Sequence, residues 1–141
     1  MSYTHTQRVP DKVMVAGGLA ALAIGLTPPG LLLRLALLGT LGTAAATIRS
    51  LTVSVDETSV NLRFGDGFIR KSIPMADIQS SRAIRTTLWH GWGIHWLGDG
   101  WIYNIYGLDA VELRLKNGKR VIIGSDDTEN LCQAIEANLK L

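Results

Sequence analysis

The chain has 141 residues, of which 47% are hydrophobic and 18% are charged, so it carries little surface charge for its length. Average proteins have about 25% charged residues and about 100–150 residues per domain, which excludes two full-size catalytic domains here. The formal net charge of +2 excludes a strongly basic nucleic-acid-binding surface. The single cysteine excludes an internal disulfide framework and a multi-cysteine zinc site.

Two apolar runs occupy the N-terminal third of the chain. They cover residues 13–26 and 31–48, and the turn-favouring sequence TPPG separates them. Arg34 is the only charged residue within them. Each run is shorter than the roughly 20 residues of a typical membrane span, but together with their flanking residues they predict a transmembrane helical hairpin. A soluble helical hairpin and a secretory signal peptide are the two alternative interpretations.

Small residues recur four apart in each run, which predicts a close-packed seam between the two helices. The first set is Gly17, Ala21 and Gly25, and the second is Gly39, Thr43 and Thr47. Arg8, Lys12 and Arg49 flank the open end of the hairpin. This bias predicts a multi-pass protein of the inner (cytoplasmic) membrane, with both termini and the following domain in the cytoplasm.

Residues 50–141 carry most of the charge and change to short alternating stretches typical of antiparallel strands. The predicted strands cover residues 51–55, 60–64, 68–73, 83–88, 101–105, 110–116 and 119–124. Asn117 and Gly118 predict a two-residue type I′ hairpin between the last two. A helix is expected to follow, with Asp126 and Glu129 at its start and with Leu131, Ile135 and Leu139 on its buried face.

The segment 73–80, IPMADIQS, resembles the Ile-Pro-x-x-Asp-Ile-x-Ser signature of bacterial pleckstrin-homology-like (PH-like) domains. The resemblance extends over the order of elements in residues 50–141. It implies a mainly β barrel of about seven antiparallel strands, capped by the C-terminal helix and acting as a binding or scaffolding module. The predicted fold is thus a tail and transmembrane hairpin (1–49) followed by a PH-like barrel (50–141). The acidic sequence Asp56-Glu57 in the first loop argues against phosphoinositide binding there.

No motif in the sequence indicates catalysis or a cofactor. Nucleophile-elbow, phosphate-loop and zinc-protease motifs are absent, and the paired glycines lack the context of a dinucleotide site. His90 and His95 lie five residues apart, which opposes shared metal ligation. Cys132 has no basic neighbour in the sequence and is expected to be a small core residue. We therefore expect no enzyme activity, no cofactor, no metal and no small-molecule substrate.

All four tryptophans fall within residues 89–101, which we call the Trp-rich segment. Trp101 is expected in the core because it alternates with Tyr103 and Ile105 on one strand. Trp89, Trp92, His95 and Trp96 are the candidate binding residues, because tryptophan is enriched at protein contacts and at membrane interfaces. The alternative is that a strand pair folds over the barrel and buries Trp92 and Trp96.

These features predict a membrane-anchored module that contacts the lipid bilayer surface or a protein partner through the Trp-rich segment. A structural subunit of a larger membrane complex is the alternative. Lys116, Lys119, Arg114 and Arg120 crowd the last hairpin and are candidates for contact with anionic headgroups, or simply form a solvated tip.

Overall fold

The computed structural model describes residues 2–25, 30–91 and 93–139. The helices are α1 (Asp11–Gly25), α2 (Leu31–Thr47) and α3 (Thr128–Leu139). The strands are β1 (Tyr3–Arg8), β2 (Ser50–Val55), β3 (Ser59–Phe64), β4 (Ile69–Pro74), β5 (Ile78–Arg85), β6 (Gly93–Trp96), β7 (Gly100–Asn104), β8 (Asp109–Leu115) and β9 (Arg120–Gly124). Single turns of 3-10 helix lie at Met75–Asp77 and Leu88–His90.

Two separate sheets replace the single barrel that the sequence predicts. The first has the strand order β1-β2-β3-β4, and the second has the order β5-β8-β9-β7-β6. The pairing of β7 with β9 is parallel, so the sheets are not wholly antiparallel. The prediction of one seven-stranded antiparallel barrel is wrong. It omitted β1 and β6, and it could not anticipate the parallel pairing of β7 with β9.

The hydrophobic core lies between the two sheets and is closed by α3. In β2 and β3 every second side chain is buried, as the alternating pattern predicts. Phe64 from the first sheet approaches Tyr103 from the second, with ring centroids 6.3 Å apart. Leu131 and Ile135 of α3 are fully buried in the same cluster, and Leu139 packs at its edge. The predicted buried face of the last helix is therefore confirmed.

The segment 73–80 forms the corner at which the chain passes from one sheet to the other. The side chains of Ile73, Met75 and Ile78 are buried in this segment. Between β4 and β5 the chain forms the 3-10 turn Met75–Asp77. Strand β5 begins at once after that turn, five residues before the predicted start of the fourth strand. The apolar residues of this segment thus have a packing role at the sheet corner.

The last hairpin has a different turn from the one predicted. No residue other than glycine has a positive φ among the described residues, whereas a type I′ turn would require one at Asn117. Gly118 has a φ of 83°, and its amide donates to the carbonyl of Leu115. This is a three-residue loop in which a type I turn is followed by a left-handed glycine.

Helices α1 and α2 form, but no helix in the described part of the chain is long and apolar enough to cross a membrane. At about 1.5 Å per residue, the 15 residues of α1 and the 17 of α2 rise roughly 22 and 26 Å, against about 30 Å of hydrocarbon. The predictions of a transmembrane hairpin and of a multi-pass protein of the inner membrane are therefore wrong. Residues 27–29 of the predicted turn at 27–30 lie outside the described residues.

The base of the helical pair packs against the hydrophobic core. Val13, Met14 and Ile48 contact the core, which uses apolar residues that the sequence analysis assigned to the membrane. The predicted small-residue seam does not form at Gly17 or Gly39, where a Cβ atom would meet nothing within 4 Å. Helix α2 itself has no buried residue, and its leucines are exposed.

Candidate functional site

The Trp-rich segment begins with an exposed turn. Trp89 is 97% exposed and Leu88 is 77% exposed, and both lie on the 3-10 turn Leu88–His90. The amide of Thr87 donates to Nδ1 of His90 at 3.1 Å, and the hydroxyl of Thr87 lies 2.9 Å from the same nitrogen. Because a backbone amide can only donate, Nδ1 is an acceptor and the neutral ring carries its proton on Nε2. These contacts hold the turn that presents the two apolar side chains.

Beyond this turn, the segment forms a hairpin of β6 and β7 rather than an irregular loop. Trp96 and Trp101 are paired across the two strands, and their rings meet edge to face with centroids 5.7 Å apart. They remain 45% and 43% exposed, respectively. Trp101 also approaches Tyr103 at 6.5 Å between centroids, which places these rings on the inner face of the second sheet.

The three candidate residues that the structure describes, Trp89, His95 and Trp96, do not lie together on one surface. His95 is half-buried and follows Ile94, which packs on the core, so the alternation of the strand turns His95 to the face opposite Trp96. Its ring lies beside Gly91, the residue that ends the exposed turn. Trp92 lies outside the described residues. The structure thus groups His95 with the end of the exposed turn and Trp96 with Trp101.

Lys119 is a member of this site that sequence reasoning did not connect to the tryptophans. Its ammonium lies 5.8 Å from the centroid of the Trp96 ring, which is within cation–π distance. The two residues are far apart in the chain, and they meet because the parallel pairing of β7 with β9 brings the last hairpin alongside. The sequence placed Lys119 only among the basic residues of the last hairpin, beside the turn at Gly118.

An ion pair fixes the tip of the β6–β7 hairpin to β9. Nε of Arg120 donates to Asp99 Oδ1 at 2.8 Å, and this hydrogen bond lowers the pKa of the Asp99 carboxyl and raises the pKa of Arg120. A Cβ atom at Gly100 would overlap the carbonyl oxygen of Arg120. Glycine is therefore required where the two parallel strands approach, and the tryptophans beside it are held in a defined position.

The described residues contain no candidate metal centre. No group of three or more histidine, cysteine or acidic side chains is placed there to hold a metal ion. Cys132 is half-buried and packs against the core, and burial raises the pKa of its thiol. The thiol is consequently a poor nucleophile at neutral pH.

No protein-family model matches this chain, and no curated protein matches it. The class of protein is thus defined by the fold and the site alone. It is a two-sheet β domain closed by a C-terminal helix, with an exposed Leu-Trp turn, a pair of half-exposed tryptophans and two apolar helices that extend from the first sheet.

Proposed function

We propose that the protein is a non-catalytic binding or scaffolding module that contacts a protein partner through the Trp-rich segment. The observation that carries this proposal is Trp89, whose side chain is almost entirely exposed on a turn held by Thr87 and His90. Exposed tryptophans in ordered positions are typical of interface centres, because they bury a large area with little loss of side-chain entropy.

The resemblance of residues 73–80 to bacterial PH-like domains also supports a binding role. Those domains serve as recognition or scaffolding modules, and the resemblance here depends on this segment alone. The fold differs in the parallel pairing of β7 with β9, so the resemblance supports the class of function and does not identify a ligand.

The test compares two exposed aromatic residues on different surfaces. Trp89→Ser and Phe68→Ser each remove a large ring from a turn, and Phe68 is 88% exposed between β3 and β4. Purified chain carrying a photo-crosslinker would be mixed with lysate of its source cells, and crosslinked proteins would be identified by mass spectrometry. We expect Trp89→Ser to abolish capture of a reproducible partner and Phe68→Ser to retain it.

Equal capture by both variants would contradict the proposal. Unfolding of Trp89→Ser would contradict the exposed position of Trp89 on which the proposal depends. Urea unfolding separates these effects, because substitution of an exposed side chain changes stability by less than about 0.5 kcal/mol. Binding to phospholipid vesicles in place of a protein, if lost in Trp89→Ser, would assign the turn to a lipid surface and overturn the protein-binding proposal.

A second candidate function is that of a structural subunit whose helices pack against a larger assembly. The specific observation in its favour is the exposed apolar surface of α2, on which Leu31, Leu32 and Leu35 are more than half exposed. Thr40, Thr43 and Thr47 donate their hydroxyls to carbonyls one turn earlier, so this surface has few free donors. Capture lost in Leu32→Asp but retained in Trp89→Ser would favour this role.

A further inference from the structure

A small cavity opens between the free edge of the first sheet and the paired tryptophans. Its volume is about 150 Å³, and its lining includes Lys71 and Ile73 of β4 together with Trp96, Trp101, Tyr103 and Lys119. A cavity of about this size accepts one benzene-sized group. We call it the edge cavity. It suits a single apolar side chain, and it is too small for a folded element.

Strand β4 borders this cavity with an unpaired backbone edge. Within the described residues β4 pairs only with β3, so its other side carries no strand. The amide of Met75 donates to the carbonyl of Thr58, which places the hydrogen bonds to β3 at Met75, Ile73 and Lys71. Because the ladder alternates, the N–H and C=O groups of Ser72 point to the open side. These groups can pair with an added strand.

The charge around the edge cavity is positive. Among the described residues, no carboxylate lies within ion-pair distance of Lys71 or Lys119, whereas Arg120 is paired with Asp99 and Glu112. Asp77 is the only carboxylate among the described residues of the lining. An occupant with negative charges on each side of an apolar group would therefore complement the site.

We propose that the edge cavity recognises an extended acidic peptide, which adds as a strand to the open edge of β4 and inserts one apolar side chain between Trp96, Trp101 and Tyr103. Strand addition provides main-chain hydrogen bonds, and the cavity and its lysines provide selectivity. This inference rests on the proposed function, because it assigns the partner a recognition segment of stated chemistry.

The test uses the full chain and a synthetic peptide, acetyl-Thr-Glu-Thr-Leu-Thr-Glu-Thr-amide. Alternate residues of a strand share a face, so its leucine and both glutamates would face the cavity together. Binding would be measured by calorimetry at low salt. We expect saturable binding that weakens at least tenfold in Lys71→Glu and changes less than twofold in Lys116→Glu, an exposed lysine outside the cavity. The same peptide with lysine in place of glutamate should not bind.

Two N-methylated forms of the peptide distinguish strand addition from binding by side chains alone. Methylation of the even-numbered amides and methylation of the odd-numbered amides block opposite edges of the added strand. We expect one form to bind like the parent peptide and the other to lose binding. Equal binding of both forms would overturn the inference.

Absence of binding by the parent peptide would also overturn the inference, and Lys71 and Pro74 would then serve to protect an exposed sheet edge. That failure is distinguishable from failure of the proposed function. A chain that captures a protein partner through Trp89 but does not bind the acidic peptide retains its proposed function and loses only this site.

Discussion

Tyr3 links the first strand to the last helix across almost the whole length of the chain. Its hydroxyl donates to Asp127 Oδ2 at 3.0 Å, and His5, two residues later on the same strand, lies 2.6 Å from Asp126. Partial burial raises the pKa of Tyr3 above its ordinary value, and the hydrogen bond to Asp127 raises it further. The folded protein therefore favours the protonated phenol at this position.

This shift predicts a pH-dependent contribution of Tyr3 to stability. A raised pKa in the folded state means that the contribution is complete below the ordinary value of about 10 and is lost as the pH rises further. We expect Tyr3→Phe to reduce the free energy of unfolding by about 0.5–1.5 kcal/mol at pH 7. Urea titrations of both proteins from pH 7 to 11 should show this difference shrinking above pH 10. A difference independent of pH would contradict this account.

Contacts between distant parts of the chain were missed both at Tyr3 and at the candidate site. Asp126 was expected only to start the last helix. In the structure Asp127 is the residue that immediately precedes α3, and its carbonyl accepts the amide of Leu131. Nothing local in the sequence indicated that both carboxylates also hold β1. Likewise, the aromatic enrichment around Trp96 indicated a special segment, whereas the approach of Lys119 to its ring depends on contacts between distant strands.

At the scale of elements, α3 follows the sequence most closely. Its apolar residues recur at helical spacing, and Leu131, Ala134 and Ile135 are fully buried. This agreement is expected, because a repeat every three to four residues specifies both the helix and the face that it buries.

The packing of α3 predicts a large loss of stability for Ile135→Ala. Truncating a fully buried isoleucine removes its transfer free energy and leaves a cavity, at a cost of about 2–5 kcal/mol. Gln133→Ala on the exposed side of the same helix is the matched control, and it should change stability by less than about 0.5 kcal/mol. Urea unfolding of both variants decides the question. A similar small effect in both would mean that α3 is not packed as described.

Helices α1 and α2 are the elements whose role sequence reasoning mistook. Their apolar residues are numerous enough to suggest a bilayer, but the first turn of α1 and the residue after α2 pack against the hydrophobic core. Val9 is buried beside them, and its amide bonds to the carbonyl of Arg49. Hydropathy counts apolar residues and does not indicate which of them pack against another part of the chain.

At the scale of the whole molecule, β1 joins the N-terminal tail to the first sheet. It pairs with β2 in antiparallel register from Tyr3↔Val55 to Arg8↔Ser50. The sequence of this strand, YTHTQR, contains little apolar character, so it resembled a polar tail. The division into residues 1–49 and 50–141 remains a prediction, and β1 offers a way to examine the second part.

We expect a peptide of residues 2–10 to stabilise the fragment 50–141 when added in solution. The peptide would restore the pairing with β2 and the contacts of Tyr3 with Asp127 and of His5 with Asp126. A ligand that binds only the folded state raises stability by about 2.7 kcal/mol at a concentration one hundred times its Kd. Thermal unfolding with increasing peptide measures the effect, and a scrambled peptide of equal composition is the control. Equal shifts with both peptides would contradict specific pairing.

The sequence by itself determined several local elements of this protein. Alternation in β2 and β3, the position of the last hairpin and the repeat in α3 each depend on neighbouring residues, so they were accessible without a structure. The tertiary structure alone decided that the strands divide into two sheets, that β7 lies parallel to β9, that β1 completes the first sheet and that the open edge of β4 faces Trp96 and Trp101. These features depend on contacts between residues far apart in the chain. The free energy that stabilises them comes from the mutual burial of these distant residues, and no local sequence pattern indicates which residues will meet.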